Sequence, residues 1–352
     1  MAQDQRALEI DVSALTPWDT GRRRLIELHQ ENASTDTDSA YNESIGSASY
    51  VSSLSSSIRS YIYEASLEQI NNGRRYHAYK EGAYVLPNDD EEQQRMDFLH
   101  HIYLLVVGGA LYLAPISQNP QRVLDIGTGT GIWAIQFADE YPSAQVLGID
   151  LSPIQPQWVP PNCVFEIDDY ESDWAYKNKF DYIHGRELIG CIGDEDRLFR
   201  QAFEHLKPGG YFELQSVESY FGSDDGTHEK AEFCQMWLHN LREAGDKFGK
   251  SFRNVPRWKE MMEKAGFVDV QDVVFKIPIG KWPKDPKMKE IGRYQQIQKI
   301  IAIDSYTPAL FTRVLGWSKE EIDVLLAKVK NELKDSSYHM YLPVHFVYGR
   351  KP

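Results

Sequence analysis

Val123-Leu-Asp-Ile-Gly-Thr-Gly-Thr-Gly131 is the stretch that defines the architecture of this chain. A short apolar run ends at Ile126, three glycines follow at alternate positions, and the next residues have a helical pattern. Glycines at such a point allow the backbone to approach a ligand closely at the N-terminus of a helix. The stretch therefore predicts a strand, a ligand-binding loop and a helix in direct succession.

Short apolar runs alternate with helical patterns around this loop. Within residues 121–216, helical patterns at Gly131–Tyr141 and Glu195–Leu206 separate runs that have the length of buried strands. These runs are RVLDIG, QVLGID, CVFEID, FDYIHG and YFELQSV. Strands separated by helices form βαβ units with right-handed crossovers, so we expect a parallel sheet in an α/β fold. Lys207-Pro208-Gly209-Gly210 predicts a turn before the fifth strand.

The flanking regions predict further helices and two more strands. Helical spacing begins at Ser55, and a second helix is expected from about Asp89 to Tyr112, with an acidic first turn. Later segments are helices near 229–248 and 255–265, the strand FVDVQDVVF, a Pro- and Lys-rich insertion with helices around 287–302 and 318–334, and the strand YLPVHFVYGRK. Residues 31–57 are rich in Ser, Thr, Asn and Asp and nearly free of large aliphatic side chains, and we expect a flexible arm over about residues 1–45.

The composition argues against several classes of protein. The 352 residues carry 52 acidic and 38 basic side chains, a net charge of −14, which disfavours binding to a nucleic-acid backbone. Cys163, Cys191 and Cys234 lie far apart without metal-ligand spacing, so we expect neither a disulfide framework nor a zinc site. The first residues form no apolar segment, and the run Ile102–Pro115 is too short to cross a membrane. We therefore expect a protein of the cytoplasm, or of the nucleus, without a membrane or nucleic-acid partner.

Two classes of cofactor bind at a loop of this kind. Gly129–Ala134 fits the GxGxxG/A pattern of dinucleotide sites, but Asp125 stands where its carboxylate would repel a pyrophosphate. The same carboxylate would attract the ammonium group of a methionine moiety, so the loop suits S-adenosylmethionine (SAM) better. Asp150 ends the second strand, where an acid can bind ribose hydroxyls, and Asp168 and Asp169 end the third, near an adenine amino group. Each acid alone could be a solvated loop residue, but together at three strand ends they favour a ligand site.

The successive motifs resemble those of class I SAM-dependent methyltransferases. The segments are VLDIGTGTGIWAIQFADEYP, VLGIDLSP, FEIDD, FDYIHGREL and LKPGGYFELQ, within about residues 121–216. Outside this core, RRYHAYKEGAYVLPNDDEEQQRMDFLHH, IPIGKWPKD, Gly316–Ser318 and the final YGRKP resemble fungal methyltransferases related to LaeA, a regulator of secondary metabolism. The resemblance covers about residues 50–352. It implies a seven-stranded Rossmann-like sheet with helices on both faces, whose last strand (Tyr341–Tyr348) is antiparallel beside FVDVQDVVF.

The resemblance also implies a domain organisation and a cofactor site. Residues 46–120 would form a helical cover over the active site, and residues 121–352 the methyltransferase domain, with a helical lid insertion at about 279–340. The residues implied to bind SAM lie in the loop and at the strand ends: Asp125, Gly127, Thr128, Gly129, Gly131, Asp150, Leu151, Asp168, Asp169, Tyr170, His184, Gly185 and Arg186.

Methyl transfer depends above all on the alignment of donor and acceptor, and it needs a base only where the acceptor must lose a proton. Candidates for catalysis are His184, Glu213 and His101, although His184 could equally be a hydrogen-bonded scaffold residue. An aromatic and cationic segment before the sheet, and one histidine of the next helix, offer candidates for the acceptor pocket: Tyr76, His77, Tyr79, Tyr84 and His100. An ordinary packed helix or loop is the alternative for that segment. The adjacent histidines have no third ligand at metal spacing, so we expect no metal ion.

Three functions are compatible with the sequence. The first is O- or N-methylation of a small fungal secondary metabolite. The second is a LaeA-like regulatory methyltransferase that acts through protein partners or on protein. The third is a pseudo-enzyme that uses the pocket for a non-methylating rearrangement, against which the intact glycine loop and its three acids argue. Neither the methyl acceptor nor the general base follows from the sequence.

Overall fold

The computed structural model describes residues 70–71, 74–76 and 86–352. The arm predicted at 1–45 and the helix predicted from Ser55 lie outside these residues, as do the acceptor candidates His77, Tyr79 and Tyr84. The first described elements are two-residue strands at Ile70–Asn71 and Arg74–Arg75, which pair antiparallel with each other.

A seven-stranded sheet forms the centre of the described chain. Its strands are β1 (Arg122–Ile126), β2 (Gln145–Asp150), β3 (Cys163–Ile167), β4 (Phe180–Arg186), β5 (Leu206–Val217), β6 (Val268–Pro278) and β7 (Tyr341–Arg350). They lie in the order β3-β2-β1-β4-β5-β7-β6. Strands β1 to β5 are parallel, whereas β7 is antiparallel to both β5 and β6. The predicted α/β fold, with its antiparallel last strand beside β6, is confirmed.

The strand order reverses at β1, which lies between β2 and β4. Asp125 near the end of β1 is opposite Gly148 of β2 and His184 of β4. Helices leave such a sheet in opposite directions on either side of the reversal, which opens a crevice at the carboxyl ends of the strands. The residues that follow β1, β2, β3 and β4 therefore meet at one edge of the sheet.

The described residues also form α-helices and two short 3₁₀ turns. The α-helices are α1 (Asp90–Val106), α2 (Ile132–Glu140), α3 (Glu195–His205), α4 (Glu232–Phe248), α5 (Trp258–Ala265), α6 (Pro286–Arg313) and α7 (Lys319–Lys334). Two 3₁₀ turns lie at Thr227–Lys230 and Val255–Arg257. Within the part of the chain that is described, no helix has the length and apolar character needed to cross a membrane.

Helix α1 begins as the sequence predicts but ends earlier. The side chain of Asp89 accepts a hydrogen bond from the Glu92 amide at 3.0 Å and caps the helix. The prediction extended the helix to about Tyr112, but it ends at Val106 because Gly108 and Gly109 adopt φ values of 70° and 93°. Glycine reaches this left-handed region without steric cost, and two such residues end a helix.

Two other boundaries differ from the predictions. Leu206 pairs with Phe180 and Tyr211 pairs with Tyr182, so residues 207–210, predicted as a turn, bulge out of a strand that begins before them. Helix α6 continues to Arg313 instead of ending near residue 302, although Pro308 lies inside it. The last turns of α6 carry a buried apolar set, and burial of that surface offsets the cost of the proline: Ala302, Ile303, Tyr306, Ala309, Leu310 and Phe311.

Candidate functional site

A cleft lies at the carboxyl ends of β1 to β4. It is open to solvent and offers about 1160 Å³ of space between and in front of the protein atoms. Its walls come from the glycine loop, the segments that follow β2, β3 and β4, and the inner face of α1. The structure brings most of the predicted cofactor residues to this cleft: Asp125, Gly127, Thr128, Gly129, Asp150, Leu151, Asp169, Tyr170, His184 and Arg186.

The glycine loop is held open by three residues with positive φ. Gly127, Gly129 and Gly131 have φ values of 63°, 58° and 79°. Residues that carry a Cβ atom rarely adopt this left-handed backbone conformation. A Cβ at Gly127 would lie 2.6 Å from Leu188 Cδ2, and one at Gly131 would lie 2.4 Å from Phe165 Cζ. The loop therefore needs glycine for its backbone conformation and for its close contacts. Gly131 itself packs beneath the loop and does not line the cleft.

Asp125 is buried between two side chains at the floor of the cleft. Its Oδ2 accepts a hydrogen bond from the Thr128 hydroxyl at 2.6 Å, and its Oδ1 lies 2.7 Å from Nδ1 of His184. The side chain is 2 % exposed. Because each carboxylate oxygen already has a partner, Asp125 fixes the loop and the histidine at the same time.

His184 is held in one orientation by its neighbours. Its ring stacks on Trp133 with 3.7 Å between ring centroids, and its Nδ1 faces Asp125. Burial lowers the pKa of His184 below its usual value, although Asp125 opposes this, so the ring is neutral near pH 7 and Nδ1 carries the proton that Asp125 accepts. Nε2 is then an acceptor, and it has no partner among the described residues.

Asp150, at the end of β2, also fixes the glycine loop through hydrogen bonds to backbone amides. Its Oδ2 accepts from the Gly129 amide at 2.8 Å, and its Oδ1 accepts from the Ser152 amide at 2.9 Å. Burial raises the pKa of Asp150 to about 6, and the nearby charge of Asp125 adds to this, whereas the amide donors oppose it. A carboxylate whose pKa lies close to neutral at a strand end has the environment of a functional group.

The acids after β3 divide between the cleft and its surroundings. Asp169 lines the cleft and its Oδ1 accepts from the Glu171 amide at 2.8 Å. Asp168 lies outside the cleft and accepts from the Asp169 amide at 2.8 Å, so it shapes the turn. Tyr170 lines the cleft and donates its hydroxyl to the carbonyl oxygen of Cys191 at 3.1 Å.

The last two residues of β4, Gly185 and Arg186, have different positions relative to the cleft. Gly185 is buried beneath the cleft, where a Cβ would lie 2.9 Å from Leu188 Cδ1. Arg186 lines the cleft, donates to Gln215 Oε1 at 2.8 Å through Nε, and lies with its guanidinium 4.8 Å from the centroid of the Tyr103 ring. The segment therefore contributes one cleft residue and one packing residue.

His100 lines the cleft but has both ring nitrogens engaged. Its Nδ1 accepts from Arg186 at 2.7 Å, and its Nε2 lies 2.9 Å from the Gln136 side-chain oxygen. Burial and the positive charge of Arg186 lower the pKa of His100 to about 3. It is therefore a neutral histidine that bridges α1, α2 and β4, without a free nitrogen for a proton from a substrate.

Two of the predicted catalytic residues are not in the cleft. His101 points away from it and packs edge-on against the ring of Tyr294, with centroids 5.9 Å apart. Glu213 is fully buried in β5 and accepts hydrogen bonds from the amides of Leu113 and Ala114, at 3.1 and 2.7 Å. The Tyr182 hydroxyl and the Gln215 amide also donate to it. Glu213 therefore anchors the chain before β1 to the sheet, and the structure gives it no access to the cleft.

The acceptor candidate Tyr76 is also placed elsewhere. It is 3 % exposed, does not line the cleft, and packs beneath the Arg313 guanidinium, 5.4 Å from the ring centroid. Burial raises the pKa of Tyr76 above its usual value, although Arg313 opposes this. It joins the last turn of α6 to the start of the described chain.

The wall of the cleft contains an ion pair whose burial the sequence did not predict. Arg95 donates to Glu92 at 2.7 Å, both side chains are less than 5 % exposed, and Ser305 donates to Glu92 at 2.6 Å. The spacing of the pair was visible in the sequence and is typical of a solvated helix face. Its burial depends on α6, which contacts α1 from more than 200 residues away, and no local signal could have shown it.

Among the residues that the structure describes, no three or more His, Cys, Asp or Glu side chains are grouped as a metal site would require. Cys163, Cys191 and Cys234 are all buried, and none of them forms a disulfide bond.

Comparisons with known proteins agree with one another. A family profile described as "Methyltransferase domain" matches residues 64–272. Methyltransferase pytC of Aspergillus terreus is 40% identical over 328 residues, which are 93% of this chain and 96% of that protein. The secondary metabolism regulator LAE1 of Cochliobolus heterostrophus is 34% identical over 290 residues, 80% of this chain and 94% of that protein. The probable methyltransferase tdiE of Emericella nidulans is 34% identical over 263 residues, 75% of this chain and 83% of that protein.

Proposed function

The chain belongs to the methyltransferase family and uses SAM as its methyl donor, and we propose that SAM binds in the cleft at the ends of β1 to β4. The observation that carries this proposal is the half-buried carboxylate of Asp150, which accepts a hydrogen bond from the Gly129 amide at the edge where parallel sheets bind nucleosides. Two further features of the cleft support the proposal. The absence of a side chain at Gly127 leaves space that a Cβ would fill, and Nε2 of His184 has no hydrogen-bond partner among the described residues.

The proposed contacts follow from the chemistry of each wall. Asp150 would accept from the ribose hydroxyls, and Asp169, with Leu151 and Tyr170, would lie at the adenine. The methionine end would lie on the glycine loop, where the neutral Nε2 of His184 can accept a hydrogen bond from its ammonium group. The low basicity of His184 suits this positioning role better than general-base catalysis.

The reaction needs alignment more than acid–base groups. SAM supplies a methyl group on a sulfonium, which any well-placed oxygen or nitrogen lone pair can displace in line. Positioning of this kind can lower a barrier by about 7–11 kcal/mol in favourable cases. The stacked His184 and Trp133 and the loop glycines hold their positions through buried contacts, so the cleft is ordered before the ligand enters.

The methyl acceptor is a small molecule or a protein, and we propose a small conjugated metabolite that is methylated on oxygen or nitrogen. The similarity to pytC over 93% of this chain supports this choice. The similarity to LAE1 keeps a regulatory role, through protein partners or on protein, as the second candidate. We further propose a reducing compartment, the cytoplasm or the nucleus, since the three cysteines are buried and form no disulfide bond. The acidic net charge supports the proposal that nucleic acid is not a partner.

A labelled-methyl assay separates the two candidates. The protein is incubated with SAM that carries a labelled methyl group and with either the small-molecule extract or the protein extract of a filamentous fungus. We expect label in the small-molecule extract, and none when Asp150→Ala replaces the wild type. Label in the protein extract alone would support the regulatory candidate and contradict the small-molecule proposal.

The affinity for SAM should increase with pH between about 5 and 7. Burial raises the pKa of Asp150 to about 6, and ribose hydroxyls donate to the ionised carboxylate, so the proton must leave before the ligand binds. Below pH 6 the affinity should therefore fall by up to about tenfold per pH unit. Calorimetric titrations of S-adenosylhomocysteine across this range measure the effect.

The matched variants are Asp150→Asn and Asp168→Asn. Asp150→Asn removes the titrating group and should give a weaker affinity that is flat with pH. Asp168→Asn changes a carboxyl group that lies outside the cleft and should keep the wild-type profile. A wild-type affinity that does not change with pH would contradict the role of Asp150.

A further inference from the structure

A second cavity adjoins the cleft. It offers about 520 Å³ of space, part of it open to solvent, between α1, α4, α6 and the segment that follows β5, and we call it the side chamber. It shares four wall residues with the cleft, which are Arg95, Leu99, Glu187 and Tyr306. The two spaces therefore adjoin at these four side chains.

The side chamber has flat aromatic walls. Phe221 and Trp237 are fully buried and their ring centroids lie 6.2 Å apart, and Phe252 is 3 % exposed. Aromatic surfaces of this kind stack well against a planar conjugated molecule.

Polar atoms without partners face this apolar surface. Arg95 Nη1, Ser219 Oγ and Gln295 Oε1 are buried, and none has a hydrogen-bond partner within the described part of the chain. All three residues line the side chamber, and their side chains belong to residues that are at most 7 % exposed. Buried polar atoms are almost always hydrogen-bonded in folded proteins, so three in one chamber indicate a polar ligand.

Lys299 adds an uncompensated positive charge. Its Nζ lies 5.0 Å from the ring centroid of Trp237 and 5.5 Å from that of Phe221, as in a cation–π contact. Among the described residues, no carboxylate oxygen lies within 4.0 Å of this amine. Burial and the charge of Arg95 lower the pKa of Lys299 to about 8, whereas Glu187 and Cys234 oppose this.

On the premise of the proposed function, we propose that the side chamber holds the methyl acceptor and that the acceptor is a planar conjugated molecule with an acidic hydroxyl group, whose anionic oxygen binds Lys299. Lys299 then carries the proton, and the phenolate or enolate oxygen carries the negative charge. The aromatic walls hold the ring, and Arg95, Ser219 and Gln295 supply donors and an acceptor for its other polar groups. Lys299 is thus a specificity-determining residue.

The probe for this proposal is 4-nitrophenol, because its phenolate absorbs visible light and its phenol does not. It is titrated against protein that is saturated with S-adenosylhomocysteine. A cation at the oxygen stabilises the phenolate, so we expect the pKa of the bound probe to fall by about one unit or more, a tenfold preference for the phenolate. Lys299→Met should abolish this shift, and Lys299→Arg, which keeps the charge, should retain most of it.

The matched control is Lys328→Met. The Nζ of Lys328 also lies over an aromatic ring, 4.4 Å from the centroid of Phe233, but outside the side chamber, so this variant should behave as the wild type. An unshifted spectrum with the wild type, or an equal shift with Lys299→Met, overturns the proposal. The affinity for S-adenosylhomocysteine is measured on the same samples and should be unchanged by Lys299→Met. Wild-type protein that fails to bind it contradicts the proposed function instead, and the probe is then titrated without it.

Discussion

Replacing Gly127 with alanine should weaken SAM binding by at least about a hundredfold, on the scale that misplacement of a binding group by about 1 Å costs. The residue has φ 63°, and a Cβ there would lie 2.6 Å from Leu188 Cδ2 and 3.7 Å from the Tyr170 ring. Both neighbours line the cleft, so the new methyl group and the displaced Leu188 would take the space of the ligand. Calorimetric titration with S-adenosylhomocysteine measures the loss.

Gly209→Ala is the matched control for this change. Gly209 has φ 78°, so alanine there suffers the same left-handed backbone cost, about 1–2 kcal/mol, but no atom lies within 4 Å of the new Cβ. Both variants should lose stability in denaturant, Gly127→Ala by more because it also displaces Leu188, and Gly209→Ala should bind the ligand as the wild type does. Wild-type affinity in Gly127→Ala would show that the ligand does not approach this glycine.

Replacing Glu213 with alanine should lower the free energy of unfolding by about 3–5 kcal/mol, because several buried donors lose their acceptor together. The amides of Leu113 and Ala114 and the hydroxyl of Tyr182 all donate to its carboxylate. Glu213→Gln keeps one acceptor oxygen and should cost less. Chemical denaturation measures the stability of each variant.

Two measurements separate this structural role from catalysis. Glu166 is an exposed glutamate on β3, and Glu166→Ala should change stability by no more than about 0.5 kcal/mol. The folded fraction of Glu213→Ala should bind S-adenosylhomocysteine as tightly as the wild type. A stable Glu213→Ala protein that binds the ligand but has lost activity would instead restore the catalytic role predicted from the sequence.

The predictions that held depend on local signals. The strand, the glycine loop and the helix from Val123 onward follow from neighbouring residues, and the acids at 125, 150 and 169 follow from their positions at strand ends. Parallel strands carry their ends to one edge, so a sequence that fixes the strands also brings these residues together. The α/β fold and the cleft were predictable for this reason.

The features that could not be predicted depend on partners far apart in the sequence. Glu213 and His184 sit opposite each other in adjacent strands, yet Glu213 is satisfied by amides about 100 residues earlier. The histidines 100 and 101 are neighbours in α1, but the helix turns one toward Arg186 and the other toward Tyr294. Lys299 resembles any other lysine of a helical stretch until α6 packs against Trp237. Spacing along the chain determines which residues share one face of a helix or strand, but it does not determine which distant residues pack against that face.

The most direct test of the account is a calorimetric titration of the purified wild type and Asp150→Ala with SAM and S-adenosylhomocysteine. We predict one site with micromolar affinity in the wild type, loss of that binding in the variant, and stabilisation by about 2.7 kcal/mol when free ligand is at 100 times its dissociation constant. A wild-type protein that is folded but shows neither heat of binding nor stabilisation with either ligand would contradict the account.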